Sequence, residues 1–166
     1  IKMKVHYAAA VYNDHPEILK NKPVEVEKTY DAPIERVWRA ITDKDEMKQW
    51  YFKLDKFELK DGFQFKFPGQ GHKGEQYMHR CTVTEIVPQK KLQYSWEYEG
   101  YTGYSLVTFE LFEAENKTRV RLTHHGLETF PQDIPDFAWN SFAEGWNQIM
   151  GISLAEFIEK SKTLST

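Results

Sequence analysis

The alternation of apolar and polar residues predicts a sheet that is bracketed by helices. Residues Val24 to Tyr30 alternate between apolar and polar residues, which is the period of a half-buried strand. Six further short segments, separated by turn-forming residues, read as strands of an antiparallel meander. These predicted strands are Lys53–Leu59, Phe63–Phe67, Tyr77–Val87, Leu92–Tyr98, Ser105–Phe112 and Thr118–His125.

Helical periodicity occurs at both ends of this region. Pro33 suits the first turn of a helix, and the apolar residues that follow it recur at spacings of three and four. A second short helix is expected to end near Trp50. A long closing helix is expected from about Pro135 to Lys160. The pattern therefore predicts an α+β fold in which the closing helix lies against the sheet.

Aromatic residues dominate the faces that should meet, so the sequence predicts a ligand cavity between sheet and helix. The alternative is a closed core, because apolar stripes usually pack together. Two glycines, Gly145 and Gly151, lie within the closing helix and could leave room for a ligand. The predicted lining is Trp50, Phe65, Tyr77, Trp96, Phe109, His124, Trp139, Phe142, Trp146 and Met150.

Composition limits the classes of partner and the cellular location that we expect. The chain of 166 residues has 22 basic and 25 acidic residues, with no long block of either sign, so nucleic acid is not expected as a partner. We predict an N-terminal arm at residues 1–23 and one domain at residues 24–166. A single cysteine and the lack of a long apolar run favour a cytoplasmic protein without membrane insertion. Exposed edge strands would allow a homodimer.

Candidate chemistry is sparse. His124 shares strand parity with the apolar residues Val120 and Leu122, so it should point inward, either as a polar group of the cavity or as a structural histidine. Glu97 is a second candidate acid or base, although a solvated strand residue explains it as well. No pair of cysteines and no HxxxH or HExxH spacing occurs, so neither a metal nor another cofactor is expected.

Four stretches carry a resemblance to a known family. They are Ala32-Pro33-Ile34-Glu35-Arg36-Val37-Trp38, Thr84-Glu85-Ile86-Val87-Pro88, Leu122-Thr123-His124 and Gly145-Trp146. Together they resemble the SRPBCC (START-like) superfamily, and more narrowly the family named for the activator of the heat-shock protein 90 ATPase. The resemblance implies a helix-grip fold, with a curved antiparallel sheet wrapped around the C-terminal helix and a hydrophobic cavity between them.

Three functions are compatible with this resemblance, since a fold does not fix a function. The first is binding of a small hydrophobic or aromatic molecule by a carrier, sequestering protein or sensor. The second is a cyclase or hydrolase activity in the same cavity, with His124 or Glu97 as acid or base. The third, regulation of a heat-shock protein 90 ATPase by a co-chaperone, rests on the family name alone.

Overall fold

The structure is a computed structural model that describes residues 22–164. A single antiparallel sheet of six strands forms the body of the protein. The strands are β1 (Val24–Tyr30), β2 (Gln64–Gln70), β3 (Gln76–Val87), β4 (Lys91–Tyr98), β5 (Ser105–Ala114) and β6 (Lys117–His125). Their order in the sheet is β1-β6-β5-β4-β3-β2, so β1 and β2 are the edges. Residues 1–21 of the predicted arm lie outside the described residues, and the arm stays a prediction.

Two short helices, α1 (Ile34–Thr42) and α2 (Lys44–Trp50), follow β1. Helix α1 buries Val37, Trp38 and Ile41, as its spacing predicted. Helix α2 begins where the Asp43 carboxylate accepts hydrogen bonds from the backbone N–H groups of Asp45 and Glu46, at 2.8 and 3.1 Å. Both helices pack beside the sheet and extend the hydrophobic core at one end.

The C-terminal helix consists of three parts: α3 (Trp139–Gln148), a π-helical turn (Ile149–Ser153) and α4 (Leu154–Leu164). Every fourth residue is buried along all three parts. The buried stripe is Phe142, Trp146, Met150, Leu154 and Ile158. The arrangement of a curved open sheet and this long helix is the helix-grip fold that the sequence predicted.

A π-helical turn leaves carbonyl groups without their usual partners, and β1 supplies replacements. The Tyr30 hydroxyl donates to the carbonyl of Met150 at 2.6 Å, and Lys28 Nζ donates to that of Gly151 at 3.3 Å. These bonds fix the middle of the C-terminal helix against the edge strand.

One predicted strand was wrong, and the start of the predicted closing helix is displaced. Residues 53–59 form no strand, because the spacing between Leu54 and Phe57 breaks the two-residue alternation that a strand face requires. The closing helix begins at Trp139 rather than Pro135, since Ala138 is extended (φ −73°, ψ 151°) and separates it from a short 3₁₀ turn at Pro135–Phe137. The other predicted strands are confirmed, with ends displaced by a few residues at most.

Candidate functional site

A cavity of about 470 Å³ lies between α3 and strands β2, β3 and β4. Its aromatic residues are mostly buried, whereas its polar residues are more exposed and lie toward its mouth. The aromatic lining consists of Phe52, Tyr77, His79, Trp96, Tyr98, Phe137, Phe142 and Trp146. The remaining lining residues are Gly69, Gln70, Gly71, His72, Asp136, Ser141, Glu144, Gly145, Gln148 and Ile149.

His79 is held inside this aromatic lining. Its ring stacks on Phe67 with 4.5 Å between centroids and meets the Trp96 ring edge-on at 4.8 Å. Nδ1 lies 3.2 Å from the carbonyl oxygen of Tyr77, and because a carbonyl can only accept, Nδ1 carries the proton. Burial lowers the pKa of His79 to about 4, with partial compensation from the carbonyls of Tyr77 and Phe67. The ring is therefore neutral at physiological pH.

His124 lies behind the cavity wall in a closed hydrogen-bond chain. Trp146 Nε1 donates to His124 Nδ1 at 2.9 Å, so the ring proton is on Nε2, which lies 2.8 Å from Ser105 Oγ. Ser105 in turn donates to the carbonyl of Trp96 at 2.7 Å. Burial lowers the pKa of His124 to about 3. Both ring nitrogens are occupied, which is the arrangement of a structural histidine.

Trp96 brings an unsatisfied donor to the cavity wall. Its residue is 4% exposed, and its Nε1 has no hydrogen-bond partner in the structure. Burial raises the pKa of Tyr98, and the nearby indole N–H of Trp96 partly opposes that rise. Their geometry nevertheless falls short of a hydrogen bond. A buried N–H without a partner is costly.

The mouth is fastened by contacts between the β2–β3 turn and the segment that leads into α3. Asp136 accepts hydrogen bonds from the Tyr77 hydroxyl at 2.7 Å and from the His72 backbone N–H at 3.0 Å. His72 Nε2 also lies 3.1 Å from Ser141 Oγ. The backbone approaches closely here, because a Cβ on Gly71 would overlap the Asp136 carboxylate. We call these five residues the clasp: Gly71, His72, Tyr77, Asp136 and Ser141.

The clasp has the residue types of a serine, histidine and aspartate triad but not its geometry. In a triad the carboxylate and the hydroxyl bond to different nitrogens of the imidazole. Here the closest approach of Asp136 to the His72 ring, 3.7 Å, is to the same Nε2 that lies beside Ser141. The carboxylate therefore cannot orient the ring for proton transfer from Ser141. The arrangement can hold the turn against the helix.

The central position on the cavity face of α3 is a glycine. Residues three and four positions away from Gly145 on either side all line the cavity, and a Cβ at Gly145 would meet no atom within 4 Å. The absence of a side chain therefore keeps space open at the middle of this wall. Gly151 also has open space around it, but it does not line the cavity.

The structure separates the predicted lining residues into three groups. Four of them line the cavity: Tyr77, Trp96, Phe142 and Trp146. Five are buried in the core outside it: Trp50, Phe65, Phe109, His124 and Met150. Trp139 is 39% exposed, with Lys22 Nζ 5.4 Å from its ring centre, because it lies off the buried stripe of the C-terminal helix. Glu97 pairs with Arg80 at 3.5 Å and does not line the cavity.

Sequence reasoning missed several lining residues. Tyr77 and His79 alternate with exposed residues along β3, so strand parity could have identified His79. Tyr98 shares the parity of Trp96 on β4 in the same way. No comparable signal pointed to Phe52, Asp136 or Phe137, which lie in irregular segments. Their positions depend on contacts with residues distant in sequence.

The family model for proteins similar to the activator of Hsp90 ATPase homolog 1 matches residues 31–159. The chain belongs to this family, within the SRPBCC superfamily. The family groups ligand-binding and polyketide cyclase-like proteins. No curated protein gives a significant match to the sequence.

Solved structures agree with this assignment. Protein MLL2253 from Mesorhizobium loti is 26% identical, with a TM-score of 0.69 over 84% of this chain and 98% of its own. CalU16 from Micromonospora echinospora is also 26% identical, with a TM-score of 0.64 over 81% of this chain and 72% of its own. Protein CV1439 from Chromobacterium violaceum, at 22% identity and a TM-score of 0.69 over 82% and 96% of the two chains, shares the fold.

No helix within residues 22–164 is long and apolar enough to cross a membrane. The same range contains no group of three or more histidine, cysteine, aspartate or glutamate side chains suited to a metal ion.

Proposed function

We propose that this protein binds a small, largely apolar molecule in the cavity between α3 and the sheet, as a carrier, sequestering protein or sensor. The observation that carries the proposal is the cavity itself: about 470 Å³, lined largely by aromatic rings. This volume lies within the usual range for small-molecule sites, which is ~300 to 1,000 Å³. A cytoplasmic location and a homodimer stay predictions.

The aromatic rings of the lining accept flat apolar groups on their faces and edges. The cavity therefore favours a ligand with an aromatic body.

Catalysis in the same cavity has weaker support. The His79 ring lines the cavity and is neutral, with Nε2 as its basic atom. A general base works best when its pKa lies near the working pH, and the His79 pKa of about 4 is well below neutrality. His124 has no free nitrogen at all. Binding is therefore the better-supported function.

Native mass spectrometry of freshly purified protein tests the proposal. We expect a reproducible added mass that disappears on denaturation and can be recovered in an organic extract. Trp96 and Trp146 provide a second readout, because both line the cavity and a bound aromatic probe should change their fluorescence. A clean apo mass, together with no fluorescence response to naphthalenemethanol, would overturn the proposal and favour turnover or a protein partner.

A further inference from the structure

The mouth of the cavity carries negative charge. Asp136 and Glu144 each contribute a carboxylate, and among residues 22–164 neither a lysine nor an arginine belongs to the lining. Lys73, in the neighbouring turn, is exposed and lies outside the lining. The imidazole of His72 faces the Asp136 carboxylate at 3.7 Å. The formal charges of this lining are therefore predominantly acidic.

Asp136 stays ionised although it is nearly buried. Burial on its own raises the pKa of this carboxyl, but the hydrogen bonds from the His72 backbone N–H and the Tyr77 hydroxyl, together with the positive charge of nearby Lys73, outweigh that effect. The pKa of Asp136 consequently lies below its ordinary value. The carboxylate is a fixed negative charge, since both of its oxygens have partners within the clasp.

The interior behind the mouth is neutral and aromatic. Burial lowers the pKa of His79 and raises that of Tyr98, so neither ring is charged at physiological pH. Trp96 and Trp146 are tilted against each other with 5.5 Å between their centroids. Indole faces carry negative electrostatic potential and attract organic cations. Interior and mouth thus favour the same sign of charge in a ligand.

We propose that the ligand is an organic cation: an aromatic or apolar body in the interior, with an ammonium group at the mouth near Asp136 and Glu144. This inference rests on the proposed function and narrows its ligand class. A carboxylate of the same shape would meet like charge at the mouth and find no described lysine or arginine in the lining. Cations are selected and anions are rejected by the same two side chains.

Three probes that share one ring system test this selection by isothermal titration calorimetry at neutral pH. They are naphthylmethylamine, naphthalenemethanol and naphthoic acid, which differ in charge but hardly in size. We expect the amine to bind about tenfold more tightly than the acid, with the alcohol between them. Added salt should reduce the difference, because the carboxylates lie near solvent.

Glu144→Gln removes one charge without changing the shape of the wall and should reduce the ratio of amine to acid affinity about threefold. Glu156→Gln is the matched control, since Glu156 is exposed on the same C-terminal helix but outside the lining. It should leave the ratio unchanged.

The outcomes separate the two proposals. Acid binding that equals or exceeds amine binding would overturn the inference about charge and leave the binding function in place. Failure of all three probes to bind would count against the cavity as a binding site, and with it against both proposals.

Discussion

Trp146, His124 and Ser105 form a buried hydrogen-bonded group, which we call the seam. The seam and the cavity around His79 contain similar residues but differ in how fully their polar atoms are hydrogen-bonded. At the seam, a chain of hydrogen bonds runs from Trp146 through His124 and Ser105 to a backbone carbonyl. At the cavity, the indole N–H of Trp96 has no partner. The polar groups of the seam are therefore fully hydrogen-bonded, whereas the cavity wall contains a buried donor without a partner.

One stripe of the C-terminal helix supplies both regions, so an aromatic pattern alone cannot distinguish them. Trp146 belongs to both, because its N–H bonds to His124 and its ring forms part of the cavity wall. What separates the regions is local. Gly145 leaves the cavity wall without a side chain, while Met150 and Leu154 continue the buried stripe of Trp146 farther along the helix.

The largest effect should follow replacement of Trp146 by alanine. This change removes a buried ring and leaves His124 Nδ1 without its donor, so we expect a loss of ~3 to 5 kcal/mol in the free energy of unfolding, measured with urea. Trp146→Phe keeps most of the ring and should cost less, ~1 to 3 kcal/mol. Binding loss in Trp146→Ala without any loss of stability would show that Trp146 is only cavity wall.

A second prediction compares the two histidines by pH. Both have a pKa in the folded protein below the ordinary 6.5, about 3 for His124 and about 4 for His79. The unfolded chain therefore binds protons that the folded protein excludes, and stability falls as the pH drops below 6.5. Each fully shifted histidine contributes ~1.4 kcal/mol per pH unit in that window.

Urea unfolding at pH 7 and at pH 5 measures this effect. Most carboxylates are still ionised at pH 5, so they contribute little to the difference. We expect His124→Asn to remove about 2 kcal/mol of the pH-dependent loss, even if the variant is less stable throughout. Part of the dependence will persist, because the pKa values of His79 and His125 are also lowered by burial. If the free energy of unfolding depends on pH equally in the variant and the wild type, His124 is protonated in the folded protein as readily as in the unfolded chain.

The third prediction, with a smaller expected effect, concerns the clasp at the mouth of the cavity. In Gly71→Ala the new methyl group would overlap the Asp136 carboxylate, so the turn must move away from α3, at a cost of ~1 to 3 kcal/mol. Faster amide hydrogen exchange across residues 69–77 would report the movement. Tyr77→Phe removes one hydrogen bond without adding volume and should cost ~1 kcal/mol. Unchanged exchange in Gly71→Ala would contradict a fastened mouth.

The seam was more predictable from the sequence than the cavity, for a physical reason. Strand parity placed His124 inward, and the alternation of β1 gave its bounds, Val24–Tyr30, to the residue. Such periodic signals are local. The clasp instead joins Tyr77 to Asp136 across 59 positions, and no local pattern encodes that contact. Trp139 fits the apolar composition of the stripe, yet it lies in the first turn of α3 and is exposed.

The smallest effect on stability, and the sharpest test of what separates the regions, concerns Gly145. An alanine there meets no neighbouring atom within 4 Å and removes the cost of a glycine in a helix, so Gly145→Ala should gain up to ~1 kcal/mol. Gly145→Phe should fold as well but place a ring at the centre of the cavity wall and prevent naphthalenemethanol from binding. Gly151→Ala, in open space outside the lining, is the control and should leave binding intact. If Gly145→Phe binds the probe as the wild type does, the ligand site lies elsewhere. If it folds and does not bind, the missing side chain at Gly145 is what turns an aromatic core into a binding site.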